Sequence, residues 1–141
     1  MRRISPAVLL IAILLAGCAG RPTTTGDLSR GQYLVESVSM CGDCHTARNE
    51  RGEIDRNRLL HGAILEIRPR RPNPDWAEEA PGIAGLGRMG DSAVIRLLEK
   101  GVMPSGKPAR PPMPQYRMTY EDAAAIADYL KTLQAESHQD R

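Results

Sequence analysis

The sequence predicts the all-α fold class, with three main helices joined by long loops. Three segments space their apolar residues at helical intervals. Residues 46–90, between the first two, are rich in Gly, Pro and Arg and show no strong strand pattern. A length of 141 residues fits one domain. A composition 41% hydrophobic and 26% charged excludes low-complexity disorder. Nucleic-acid binding is disfavoured: Lys+Arg is 19 against Asp+Glu 17, and no basic run longer than Arg70–Arg71 stands out. Phe is absent and aromatics make up only 4%, so core volume usually taken from aromatic rings must come from elsewhere.

The first element is a leader. Arg2 and Arg3 precede an unbroken apolar run, Ala7 to Leu15, and small residues then lead to Cys18. This is a secretory signal layout, and its apolar run falls short of the ~20 residues of a membrane span. The order Leu15-Ala16-Gly17-Cys18 resembles a bacterial lipoprotein box. That resemblance implies removal of residues 1–17 and a lipid on Cys18, giving an exported protein anchored to a bacterial membrane and facing the periplasm. Ala19 after the Cys favours outer-membrane sorting within the same resemblance. An ordinary signal peptide cut nearby, or a short uncleaved anchor, are the alternatives. Loss of Arg2 and Arg3 brings Lys+Arg from 19 to 17, level with Asp+Glu at 17, so the mature chain is near neutral. Residues 18–27 read as the lipidated N-terminus and a flexible tether, since Pro22 and Gly26 break any helix.

The domain proper spans 28–134. A helix is expected over 29–40, with Ser29 as a candidate N-cap and apolar positions at Leu28, Tyr33, Leu34 and Val38. Gly31 is unfavourable there on propensity, and its use would be close approach by another helix. A second helix is expected over 91–100: Asp91 can cap it, Val94, Ile95, Leu97 and Leu98 form the apolar face, and Gly101 suits the stop. The third covers 120–134, where Thr119 with Asp122 resembles a capping box and Ala123, Ile126, Ala127, Leu130 and Leu133 keep helical spacing, with Tyr129 beside the stripe. Residues 135–141 read as a frayed polar tail.

The chemistry sits at the end of the first helix. If the lipid takes Cys18, the remaining cysteines lie in Cys41-Gly42-Asp43-Cys44-His45. C-x-x-C-H is the attachment pattern of c-type haem. Two thiols add across the two haem vinyl groups, the two-residue gap sets the sulfur separation, and the adjacent imidazole meets the iron. A thioredoxin-like redox pair needs a βαβ context. A zinc site needs four ligands, and His61 and His138 form no pair. A structural disulfide across so short a loop would add little stability. Export supports haem c, which is attached outside the cytoplasm. The single motif and the lack of an internal repeat give one haem. A large apolar disc also supplies a centre for a core without Phe, and a surface for the loops 46–90 and 101–118 to wrap.

A methionine beside a histidine ligand raises the haem potential. Met40 adjoins Cys41 and cannot reach the opposite face, leaving Met89, Met103, Met113 and Met118. Met113 lies in Arg110-Pro-Pro-Met-Pro114, a stretch too rich in Pro for a helix or central strand, and so a stiff holder for a weak thioether. Met103, Met118 and His61 stay as alternatives, and packing of Met113 on the haem edge is its other use.

Residues 28 to 133 resemble a class I cytochrome c. The resemblance rests on Gly31-Gln-Tyr-Leu34 before Cys41-Gly-Asp-Cys-His-Thr46, on Pro81-Gly-Ile-Ala-Gly-Leu86, on Arg110-Pro-Pro-Met-Pro-Gln-Tyr-Arg117, and on Glu121-Asp-Ala-Ala-Ala-Ile-Ala-Asp-Tyr-Leu130. It implies a cytochrome c fold in which the terminal helices cross, with Gly31 against Tyr129 or Leu130. It implies that the Pro81 carbonyl orients the His45 ring through its second nitrogen; a plain turn is the other use of Pro81. Where many relatives have Gly-Gly this chain has His61-Gly62, which leaves the role of His61 open. Arg68 to Arg71 reads as a solvated run, or as a partner for a propionate or an acidic protein; Trp76 reads as a wall of the haem or as core. The expected function is electron carriage by Fe(III)/Fe(II) cycling with His45 and Met113 retained, between a redox donor and acceptor, and with no enzyme activity of its own. The alternatives are a haem subunit of a periplasmic dehydrogenase or oxidase, and a sensor or peroxidase with an open sixth site.

Overall fold

The computed structural model of the protein describes residues 27–137. The expected leader, Cys18, the tether up to residue 26 and residues 138–141 lie outside the described residues.

Helix α1 spans Leu28–Tyr33 and continues as a π-helical turn over Leu34–Val38. Its cap is Asp27, not Ser29: the Asp27 carboxylate accepts from the Ser29 amide at 3.0 Å and the Arg30 amide at 3.3 Å. Aspartate fills this role because its oxygen reaches the otherwise unpaired first amides. The expected apolar face is also shifted. Leu34 is buried as expected, together with Gly31 and Val35, whereas Leu28, Tyr33 and Val38 are about half exposed. The π turn is the physical reason: Ser39 N–H reaches back five residues to Leu34 and Cys41 N–H six to Val35, so the period of 3.6 no longer holds at this end.

Helix α2 is one turn, Gly42–His45. Helix α3 spans Asp91–Lys100, as the periodicity predicts, and Gly101 ends it in the left-handed conformation at φ 69°. Its N-cap is Gly90; Asp91 is instead the first helical residue, where a carboxylate favours the helix dipole, and it pairs with Lys131 at 2.7 Å. Helix α4 spans Tyr120–Ser137. The Thr119 hydroxyl accepts from the Asp122 amide at 3.2 Å. The Asp122 carboxylate does not close the box but binds Arg30, with Nε–Oδ1 at 2.9 Å and Nη2–Oδ2 at 3.2 Å.

The all-α expectation needs one correction. Two short strands, β1 (Ala63–Ile64) and β2 (Glu79–Ala80), pair antiparallel with Ala63 opposite Ala80 and Ile64 opposite Glu79. Two-residue strands satisfy backbone groups locally but are too short to show alternation in a sequence. The remainder is helix-rich, with long loops between its helices, as expected. Its core joins Leu34 and Val35, Val94 and Leu98 of α3, and Ala123, Ile126, Ala127, Tyr129 and Leu130 of α4, with Leu60 and Leu86 from the loops. The α1–α4 crossing is glycine-dependent. A Cβ on Gly31 would lie 2.8 Å from both the Ala125 carbonyl carbon and the Tyr129 Cβ, so Ala125 and Tyr129, rather than Leu130, form the facing surface. The Tyr129 hydroxyl donates to the Glu36 carboxylate beside that crossing. Among the described residues no helix is long and apolar enough to cross a membrane.

Candidate haem site

The site begins with the geometry of a single helical turn. His45 N–H and Cys44 N–H both donate to the Cys41 carbonyl, at 2.9 and 3.3 Å. Residues i, i+3 and i+4 of a turn share a face, so Cys41, Cys44 and His45 project to one side. Both thiols are free and half-buried. Burial pushes the Cys41 thiol up to about 11, so it is protonated at neutral pH.

His45 is buried, with 8% of its surface exposed. Its Nδ1 lies 2.7 Å from the Pro81 carbonyl oxygen. A carbonyl only accepts, so the proton sits on Nδ1 and the Nε2 lone pair remains for a metal. Burial holds the imidazole below its ordinary value, and the Pro81 hydrogen bond opposes this less strongly. The ring is therefore neutral at pH 7, the form that ligates.

The loop carrying Pro81 is tied to the Cys–His turn. Gly62 N–H donates to the His45 carbonyl at 2.7 Å, and the Leu60 amide donates to the Thr46 hydroxyl at 2.9 Å. Ile83 and Ala84 amides donate to the Leu60 carbonyl at 2.8 and 3.0 Å. Gly62 has φ +96°, and a Cβ there would sit 2.9 Å from the Gly82 nitrogen. Glycine is thus required where the loops press together. Thr46, only 2% exposed, is a structural anchor that sequence reasoning passed over. The signal was a hydroxyl directly after the His, in a setting that would bury it.

Met113 is half-buried in a turn closed by its own amide on the Arg110 carbonyl at 3.2 Å. Beyond it, the Tyr116 hydroxyl donates to the Ser39 carbonyl at 3.3 Å and the Met118 amide to the Leu98 carbonyl at 3.1 Å. Tyr116 therefore links the Met113 loop to the residues just before Cys41, a contact that sequence reasoning also missed. Among the other candidates, Met89 and Met118 pack against the core. Met103 lies half-buried in a turn where its amide donates to the Lys107 carbonyl at 2.7 Å. His61 is exposed. Arg68 makes a 3.8 Å pair with Glu78 at the exposed surface, while Trp76 is half-buried with its indole N–H on the Ile67 carbonyl at 3.3 Å.

A groove of about 650 Å³ runs between Arg68, Trp76 and Arg110, and one of about 820 Å³ between Arg48, His61 and Pro81. Neither is lined by Cys41, Cys44, His45 or Met113. The donor geometry, not a groove, marks the site. It fits a covalently held haem: two thiols and an oriented, neutral imidazole on one face of one turn. Among the described residues there is no group of three or more His, Cys, Asp or Glu that could hold a metal ion.

Residues 28–134 match the family model of cytochrome c. The chain is 34% identical over 139 residues to a diheme cytochrome c-type protein of Cereibacter sphaeroides, covering 87% of this chain and 44% of that protein. It is 29% identical over 120 residues to the fructose dehydrogenase cytochrome subunit of Gluconobacter japonicus, covering 82% of this chain and 24% of the relative. The chain thus spans less than half the length of either curated relative. The family match takes in every element from α1 to the body of α4, including the Cys–Cys–His turn, and on that extent the chain belongs to the cytochrome c family.

Proposed function

We propose that this chain is a class I, one-haem electron carrier whose haem is held by Cys41 and Cys44 and ligated by His45 and Met113. Membership of the family carries the coarser statement, a covalent haem c and electron transfer with redox partners. The observation that supports the finer one is the buried His45 with Nδ1 committed to Pro81, which leaves Nε2 as the only free ring nitrogen. The single C-x-x-C-H in the 141 residues supports one haem.

Bound haem supplies the Fe(III)/Fe(II) couple. The Pro81 carbonyl keeps the His45 proton on Nδ1 and so fixes its tautomer and ring orientation. Pro111, Pro112 and Pro114 restrict the backbone around Met113, so holding its thioether in one place loses little entropy. A methionine ligand added to the histidine would raise the potential of a bound haem. Export and lipidation at Cys18 belong to the same proposal and rest on the residues before Cys18. Mass analysis of the N-terminal peptide tests them.

The test of ligation is the optical spectrum of the haem-loaded protein with and without carbon monoxide. His/Met ligation gives a weak red sulfur-to-iron band when oxidised and no carbon monoxide binding when reduced. Met113→Ala then loses the band. Ready carbon monoxide binding by the native protein would replace this reading with an open-site sensor or peroxidase. The likeness to a dehydrogenase cytochrome subunit favours one second reading, a haem subunit of such a complex. Copurification of a dehydrogenase in stable proportion would support it.

A further inference from the structure

We propose that Arg110 is a positioning residue for the sixth ligand, stapling the Met113 loop to residues 75–77. The proposal rests on the reading of Met113 as that ligand. The Arg110 guanidinium donates from Nε to the Asp75 carbonyl at 3.0 Å and from Nη2 to the Trp76 carbonyl at 2.7 Å. One residue further on in each segment, the Ala77 amide donates to the Pro111 carbonyl at 2.7 Å. The carbonyl of Arg110 itself accepts the Met113 amide at 3.2 Å. One residue therefore closes the Met113 turn through its backbone and fastens that turn to a neighbouring segment through its side chain.

The loop composition explains why a side chain is needed. Pro111, Pro112 and Pro114 have no N–H, so the loop offers its surroundings carbonyls but few backbone donors. The guanidinium supplies the missing donors and, as a planar fork, addresses two successive carbonyls at once; a lysine ammonium lacks that fork. The receiving segment is itself ordered. The Asn73 side chain accepts the Asp75 amide at 3.0 Å, and the Asn73 carbonyl accepts the Trp76 amide at 3.1 Å. The staple thus joins the Met113 turn to a second formed turn.

The test is an imidazole titration of the oxidised, haem-loaded full chain, read with the red sulfur-to-iron band. In Arg110→Ala the band weakens and imidazole displaces the native ligand at roughly tenfold lower concentration, the scale of one lost hydrogen bond to a charged group. Arg110→Lys is intermediate. Arg96→Ala, which removes an exposed arginine of α3, behaves as wild type. Hydrogen exchange at the Ala77 amide speeds up in Arg110→Ala. If Arg110→Ala loads haem and keeps wild-type imidazole affinity and band, the proposal is overturned. If it fails to load haem, Arg110→Lys decides the matter: an affinity equal to wild type overturns the proposal, and a shift supports it. Met113→Ala separates the two readings. A band surviving in Met113→Ala removes Met113 as ligand and the proposal with it. A band lost in Met113→Ala but untouched in Arg110→Ala overturns only the staple.

Discussion

Gly31 meets Ala125 backbone to backbone: a Cβ on Gly31 would fall 2.8 Å from the Ala125 carbonyl carbon, inside any contact a real side chain makes. The first and last helices are brought together at this point, directly upstream of the π turn that leads to Cys41. Arg30, one residue earlier, holds Asp122 on the same pair of helices through both of its oxygens.

Gly31→Ala sets two effects against each other. Alanine gains about 0.5–1 kcal/mol of helix propensity over glycine. Forcing a methyl into a packed crossing costs about 1–3 kcal/mol. The backbone of Ala125 cannot move as the tip of a side chain can, so the clash wins. The variant is expected to be destabilised by ~1–2 kcal/mol in a denaturant titration, and a stabilised variant would show that the helices are not so close.

The cap of α1 is sensitive to acid. The Ser29 hydroxyl, followed by the Arg30 amide, holds the Asp27 carboxyl below its usual 3.8. A depressed carboxylate stabilises the fold above its unfolded value, and that stabilisation is lost as pH falls through the folded value. Asp27→Ala is therefore expected to melt below wild type at neutral pH, with the gap narrowing below pH 3.8. A gap that stays constant down to acid pH would locate the effect of Asp27 elsewhere.

Cys41 and Cys44 are each expected to attach haem through one thioether. Cys41→Ser or Cys44→Ser alone retains one thioether, so haem still migrates with the denatured chain while its reduced pyridine spectrum shifts. The double variant releases its haem on acid extraction. Haem that stays covalently bound in the double variant would mean that other residues attach it.

Tyr116→Phe removes the hydroxyl that donates to the Ser39 carbonyl at 3.3 Å. The bond is long and half-buried, so the expected loss lies at the lower end of the ordinary range, about 0.5–1 kcal/mol. Unfolding in denaturant measures it. An unchanged midpoint would mean that water replaces the phenol fully.

Local rules were legible in the sequence where one short stretch settles a structure. The bounds of α3 and its stop at Gly101 follow from spacing and from the left-handed preference of glycine. The Cys41, Cys44 and His45 pattern carries its chemistry in five residues. Spacing held for Leu34 but failed elsewhere in α1, where the π turn buries Val35 and leaves Tyr33 and Val38 half exposed. It also failed at the caps of α1 and α3, where Asp27 displaced Ser29 and Gly90 displaced Asp91, because neighbouring residues of cap type compete and backbone geometry selects among them.

The sequence by itself determined the residue pattern on which the proposed chemistry rests: two thiols and an imidazole at a spacing that one helical turn turns to one side, and a methionine among prolines. Tertiary structure alone decided which proton state and which neighbours that chemistry has. Pro81 reaches His45 across 36 residues, Leu60 reaches the Thr46 hydroxyl across 14, and Arg110 reaches Asp75 across 35. Each is a hydrogen bond between segments far apart in the chain, at least one of them a loop without periodicity, so no local pattern encodes it. It forms because the packing of α1, α3 and α4 brings the loops together, and buried polar groups then take the partners within reach.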